Sequence, residues 1–233
     1  MRIAVTGTNG IGKSTLIKSM LEHWSGYTTP KKSYRDNIDN RYTTVMNEST
    51  QQQVLDSMVD QLKSYGKDDN VIYDRCPVDN LVYSLHGNTK GTITDKFIET
   101  CATQVKESLR MLDLIFFIPI TSQDNIDINS NLEGKGQLTL EYATEVDHLF
   151  KSVYRQWDNK ESPFVDYEDK PHVIEVFGTP EQRLEMVKLY ITESGGMFED
   201  SVILSPSEIM EMEALYSAIA KEPVIQEKET DST

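Results

Sequence analysis

Ile3, Ala4 and Val5 form an unbroken apolar run inside Arg2–Thr6, and the lack of polar alternation predicts a strand buried on both faces, as in a parallel sheet. The spacing then changes. Leu16, Ile17, Met20, Leu21 and Trp24 recur at i, i+3, i+4 intervals, which predicts an amphipathic helix over about 13–24, closed by Gly26. A short second strand is expected near Tyr27. A helix over about 49–65 follows, capped by Ser49 or Thr50, with Val54, Leu55, Met58, Val59 and Leu62 on one face. Val71-Ile72-Tyr73 reads as a strand that ends in Asp74-Arg75, because Pro77 cannot continue it. Next come a short helix through Tyr83, a loop, and a longer helix over about 94–112. Leu114 to Pro119 is the most apolar strand. A polar Gly/Asn-rich segment over 121–137 precedes a helix over about 140–157, then a last strand over 173–177 and a helix carrying Leu184, Met186, Val187 and Tyr190. Strands alternating with helices predict a parallel α/β domain over residues 1–195. Beyond it, Ser205-Pro206-Ser207-Glu208 caps a helical appendage over 196–220, and the polar residues 221–233 are expected to be disordered.

Composition narrows the function classes. Among 233 residues, 38 Asp and Glu oppose 23 Lys and Arg, a net charge of -15, which disfavours general binding to nucleic acid through phosphate contacts. The charge is uneven. Residues 196–233 hold nine acids and two bases, so nearly half of the excess lies outside the expected α/β domain. No apolar run approaches the ~18–20 residues of a membrane span, and the N-terminal ten residues lack the apolar stretch of a secretory signal, so a cytoplasmic protein without a membrane partner is expected. Two cysteines, Cys76 and Cys101, supply neither a disulfide framework nor a zinc site.

Gly7-Thr8-Asn9-Gly10-Ile11-Gly12-Lys13-Ser14 satisfies the phosphate-loop pattern GxxxxGK[ST] between a predicted strand and a predicted helix. Glycines let successive backbone N–H groups face one anion, with the helix dipole behind them. In such a loop Thr8, Asn9, Gly10, Ile11, Gly12 and Thr15 line a bound phosphate, Lys13 bridges β- and γ-phosphates, and the Ser14 hydroxyl meets Mg²⁺. The dinucleotide pattern GxGxxG fails at Asn9. Asp74-Arg75 is the second constellation. A carboxylate at a strand's C-terminal end faces the ligand crevice of an open α/β sheet, where it holds Mg²⁺ or accepts a proton while the arginine clamps a phosphate; a surface ion pair is the plainer reading.

With the Gly7–Ser14 loop, the DRCPVDNLVYS segment at Asp74–Ser84 and the GTPEQR turn at Gly178–Arg183, the chain over about 1–192 resembles the P-loop nucleoside and nucleotide kinase family, its thymidylate-kinase-like branch and virus-encoded members in particular. The resemblance implies a five-stranded parallel sheet in the order 2-3-1-4-5 with helices on both faces. It also implies ATP and Mg²⁺ as cofactors, transfer of the γ-phosphate to a deoxynucleoside monophosphate such as dTMP or a modified pyrimidine, and a lid over about 121–140. On it, Asp74 stands near Mg²⁺ and the acceptor, Arg75 contacts the acceptor phosphate, Asp79 and Tyr83 belong to the acceptor side, and Thr179 and Pro180 border the adenine. Arg35 and Arg41, in the basic stretch, and Glu48 and Tyr83 are candidate acceptor contacts; solvated-face, helix-dipole and packing roles are the alternatives. Virus-encoded relatives also include kinases of hydroxymethylated pyrimidines within DNA, which keeps nucleic acid as a second, less favoured acceptor. An ATP-driven switch module is the non-enzymatic alternative, and a homodimer is compatible with the pattern.

One feature departs from the family. Kinases of this type place arginine in the lid to neutralise the transferred group. Between Thr121 and Phe150 this chain has no Arg, one Lys, Lys135, and six acids. Lys135 is therefore the expected lid cation, with Arg155 in reserve.

Overall fold

The N-terminal apolar run forms β1 (Arg2–Thr6), buried along its whole length. In the computed structural model, which describes residues 1–34, 47–121 and 139–198, the elements then run α1 (Lys13–His23), α2 (Glu48–Lys63), β2 (Val71–Asp74), α3 (Pro77–Thr89), α4 (Asp95–Leu109), β3 (Leu114–Phe117), α5 (Leu140–Arg155), β4 (His172–Glu175) and α6 (Pro180–Lys188). Every ladder is parallel. β1 sits between β2 and β3, pairing Arg2 with Val71 and Val5 with Asp74 on one side and Thr6 with Phe117 on the other; β4 adds to the far side of β3.

Alternation along the strands divides the core between the two faces. Ala4, Tyr73, Ile115 and Phe117 pack under α2 to α5 with Leu55, Leu81, Val105 and Phe150. Ile3, Val5, Ile72 and Phe116 pack under α1 and α6 with Leu16, Met20 and Val187. The result is a three-layer α/β fold. Residues Met1–Met197 form one compact unit, and of the second, Phe198–Thr233, only Phe198 is among the described residues. All but the first three residues of the expected appendage, the whole expected tail, Arg35, Arg41 and nearly all of the expected lid, including Lys135, lie outside the described residues.

Three expectations change. Among the described residues the sheet has four strands in the order β2-β1-β3-β4, not five: the segment at Tyr27 contributes a single bridge, Thr28 with Val71, before Pro30 removes the next useful donor. The helix after Pro77 does not stop at Tyr83 but continues to Thr89, because burial of Ser84, His86 and Gly87 overrides the loop-like composition of its last turns. The cap of α2 is Asn47, whose side chain accepts the Thr50 N–H at 2.9 Å, rather than Ser49 or Thr50.

Candidate functional site

The glycine-rich turn leaves β1 against the backbone of the chain just beyond β3. A Cβ on Gly7 would meet the Ile118 carbonyl oxygen at 2.6 Å, and its φ of 136° lies where side chains are disfavoured, so this position requires glycine twice over. Gly12, at φ 97°, caps α1; no side chain caps that helix and its first turn carries no acid. Its N–H groups are thus arranged for an external anion. Lys13, buried, donates from Nζ to the carbonyls of Gly7 at 3.0 Å and Thr8 at 2.7 Å. Ser14 and Thr15 are exposed, while the fully buried Thr8 hydroxyl has no hydrogen-bond partner in the structure.

Beside the loop, β2 presents Asp74, exposed, and then Arg75, which adopts a left-handed φ of 81°. Its own N–H continues the ladder to the Val5 carbonyl at 3.0 Å, and the turn carries its side chain toward the phosphate loop. The guanidinium, 5% exposed, donates to Asp79 Oδ1 at 2.7 Å, Asn9 Oδ1 at 2.6 Å and the Gly7 carbonyl at 3.3 Å, and lies 5.1 Å from the Tyr83 ring centroid. Asp79 is wholly buried, and its other oxygen accepts the Cys76 N–H at 3.0 Å, closing the first turn of α3. Burial pushes its carboxyl pKa up, opposed by Arg75 and Lys13. Burial also raises the Cys76 thiol well above its ordinary value, with Asp79 adding to the rise, so proximity to Arg75 does not activate it.

The sequence-predicted residues separate accordingly. Gly7 to Lys13, Arg75 and Asp79 come together, with both Asp79 oxygens turned to Arg75 and the α3 backbone. Tyr83 is not an open stacking platform: its ring meets Arg75, stacks with Tyr142 at 6.5 Å and meets Phe150 edge-on. Glu48 turns to α4, accepting from the Thr94 N–H at 2.9 Å and hydroxyl at 2.6 Å, bonds that hold its pKa below the usual carboxylate range. Thr179 forms a reciprocal capping box with Gln182, and Pro180 opens α6. Arg155 is exposed in the last turn of α5, beside Tyr154, whose hydroxyl lies 2.8 Å from Thr6 Oγ1 at the foot of the loop.

Among the described residues of the stretch between Thr121 and Phe150, two acids are matched locally. Glu145 accepts from His86 Nε2 at 2.8 Å and Lys90 Nζ at 3.0 Å, which lowers its pKa. The buried Asp147 pairs with Lys151 at 2.6 Å, and together they hold Ile120, its N–H on Asp147 and its carbonyl on Lys151, each at 2.8 Å. Arg183 is the residue that sequence reasoning passed over. It is 2% exposed, and its Nη1 lies 2.6 Å from the Ile11 carbonyl in the phosphate loop. It closes the GTPEQR turn, yet nothing local in the sequence distinguishes it from a surface arginine.

Among the described residues no group of three or more His, Cys, Asp or Glu could hold a metal ion by itself. A hydroxyl from Ser14 and a carboxylate from Asp74 are hard oxygen donors of the kind Mg²⁺ accepts when substrate phosphates complete its shell, so the donor set fits that ion.

A parallel core, a glycine-bent turn with its lysine and a helix open at its N-terminus define a P-loop NTPase-type fold. A family model of the AAA domain matches residues 2–169, and the chain belongs to that family. A comparison of the sequence with curated proteins finds no match. Among solved structures, the chain is similar to a deoxyadenosine kinase from M. mycoides with dCMP and a flexible dCDP bound, at a TM-score of 0.58 and 16% identity over 80% of this chain and 96% of that one. The same kinase with dCTP gives 0.58 and 18% over the same shares. NadR protein in complex with NR gives 0.56 and 14%, over 85% of this chain and 53% of that one. At these identities the likeness is one of fold. No described helix is long and apolar enough to cross a membrane.

Proposed function

We propose that this protein is an ATP- and Mg²⁺-dependent phosphotransferase that moves the γ-phosphate of ATP to a deoxynucleoside monophosphate, as in the thymidylate-kinase-like branch. The observation that carries the reading is Arg75: a buried guanidinium at a strand end, tied to the phosphate loop through Gly7 and Asn9 and oriented by Asp79. An arginine fixed beside a phosphate loop is suited to a second phosphate-bearing substrate, which a simple ATPase does not need. Neighbours in fold named as deoxyadenosine kinases add support for a nucleoside-type acceptor. In this reading Lys13 and the loop amides bind the donor phosphates, Thr179 and Pro180 border its base, and Asp74 and Arg75 orient the acceptor. Arg35 and Arg41 are further acceptor contacts, and Lys135, with Arg155 in reserve, completes the charge on the lid side. Mg²⁺ bound with the phosphates at Ser14 and Asp74 supplies neutralisation of phosphate charge. Catalysis is then chiefly positioning and charge stabilisation.

The test is ADP release from ATP against a panel of all common nucleosides and their monophosphates. Strong stimulation by a particular monophosphate is expected. ADP formation unaffected by every acceptor refutes the kinase reading, and stimulation by a nucleoside alone refutes the monophosphate.

A further inference from the structure

Arg183 lies 172 residues from the phosphate loop it touches, and the contact falls on a backbone oxygen of that loop. The Ile11–Gly12 peptide is trans, so its carbonyl and its N–H point in opposite directions from one plane. Fixing the oxygen from one side therefore fixes the N–H on the other. The oxygen accepts at 2.6 Å from a guanidinium that is 2% exposed, a charge-assisted bond in a low-dielectric setting. Such a bond also polarises the peptide and makes its N–H the stronger donor. Gly12 is shaped to this neighbour, since a Cβ there would lie 2.9 Å from Arg183 Nη1. α6 is itself anchored at its start by the Thr179–Gln182 capping box and packs Val187 into the core under the sheet, so the arginine projects from a fixed helix.

We propose that Arg183 is a positioning residue of the phosphate loop: through the Ile11 carbonyl it aims and strengthens the Gly12 N–H as a donor to the phosphates of a nucleoside triphosphate. The inference rests on the reading that this loop binds such a ligand. It assigns α6 a second role besides carrying the turn proposed to border the base. A merely structural arginine would tie α6 to the loop and affect stability alone.

The two are separated by calorimetric titration of the full chain, as wild type, Arg183→Met and Arg183→Lys, with ATP, inorganic pyrophosphate and adenosine. With outer-shell hydrogen bonds as the scale, Arg183→Met should weaken ATP and pyrophosphate by about 10–100-fold and leave adenosine nearly unchanged, and Arg183→Lys should recover part of the loss. Equal weakening of all three ligands, or wild-type affinity for ATP, overturns the proposal. Should Arg183→Met not fold, the Gly12 amide proton in Arg183→Lys carries the test. An upfield shift with weaker pyrophosphate binding supports the role; an unmoved resonance overturns it. Wild-type protein that binds neither ATP nor pyrophosphate refutes the functional reading and the inference with it, whereas equal binding by wild type and variants refutes the inference alone.

Discussion

Replacing Asp79 by Asn leaves Arg75 buried without a counter-charge. The carboxylate is fully buried, 2.7 Å from the guanidinium, and a guanidinium 5% exposed cannot turn to water in compensation. Removing one member of a buried pair costs roughly 3–5 kcal/mol. Asn still offers an oxygen to the Cys76 amide, so loss of the cap adds little. For a chain of this size, about 2–4 °C per kcal/mol makes the expected fall in Tm roughly 6–20 °C. The direction of the Asp79 pKa sharpens the expectation: burial outweighs Arg75 and Lys13 and raises it. A raised carboxyl pKa contributes stability below the ordinary carboxylate range, and that contribution is lost as pH rises through the folded value. Against burial, Tyr83 and Asp79 hold the Arg75 guanidinium well above its ordinary value, so the cost of Asp79→Asn is the cost of stranding that buried charge. Arg75→Met combined with Asp79→Leu should then restore wild-type stability or exceed it by about 1–4 kcal/mol while abolishing acceptor-dependent turnover. Urea denaturation of the single and double variants between pH 4 and pH 8, as chosen conditions, is the measurement. A single variant within about 1 kcal/mol of wild type, or a double variant no more stable than the single, refutes this account of the pair.

Lys13→Ala should lower acceptor-dependent ADP formation by about 10²–10³-fold, the scale for loss of one preorganised donor to developing charge, read from initial rates at saturating ATP. Gly12→Ala meets both a left-handed φ and the Arg183 guanidinium 2.9 Å from the new methyl group, so urea denaturation should show a loss of roughly 1–3 kcal/mol. Phe150, fully buried and stacked on Phe117 at 5.5 Å, should cost about 3–5 kcal/mol as Ala, by the same measurement. Glu48 holds a lowered pKa through Thr94, so its contribution is present above the ordinary carboxylate range and lost as pH falls through the folded value; Glu48→Gln should flatten that acid limb of the Tm profile.

What was legible in the sequence was what lies close together along it. The phosphate loop, its strand and its helix occupy residues 2–23 in one piece, and period alone separates the strand from the helix. Asp74 and Arg75 were visible because Pro77 ends the strand beside them. Partners distant in sequence were not. Glu48 reads as an acceptor contact until it meets Thr94, 46 positions on, and Asp79, though its partner Arg75 is only four positions away, reads likewise because nothing local announces its burial. The second strand failed for a local reason, Pro30, while the extra turns of α3 succeeded against local composition because their neighbours bury them.

The charge problem takes a different form in the folded chain. The sequence has six acids between Thr121 and Phe150, with Lys135 as the one base among them. Glu145 and Asp147 are engaged by His86, Lys90 and Lys151, so the acidity of that stretch is partly met where it arises. Lys13, Arg75 and Arg183, all nearly buried, converge meanwhile on carbonyls or side chains of the loop itself. Asp79 is the buried carboxylate that faces both Lys13 and Arg75. Cations held in low dielectric act more strongly at short range and are screened less by salt than those on an exposed lid. A chain of net charge -15 can therefore present a positive site to a polyphosphate, because the charge that matters is carried by the scaffold under the loop.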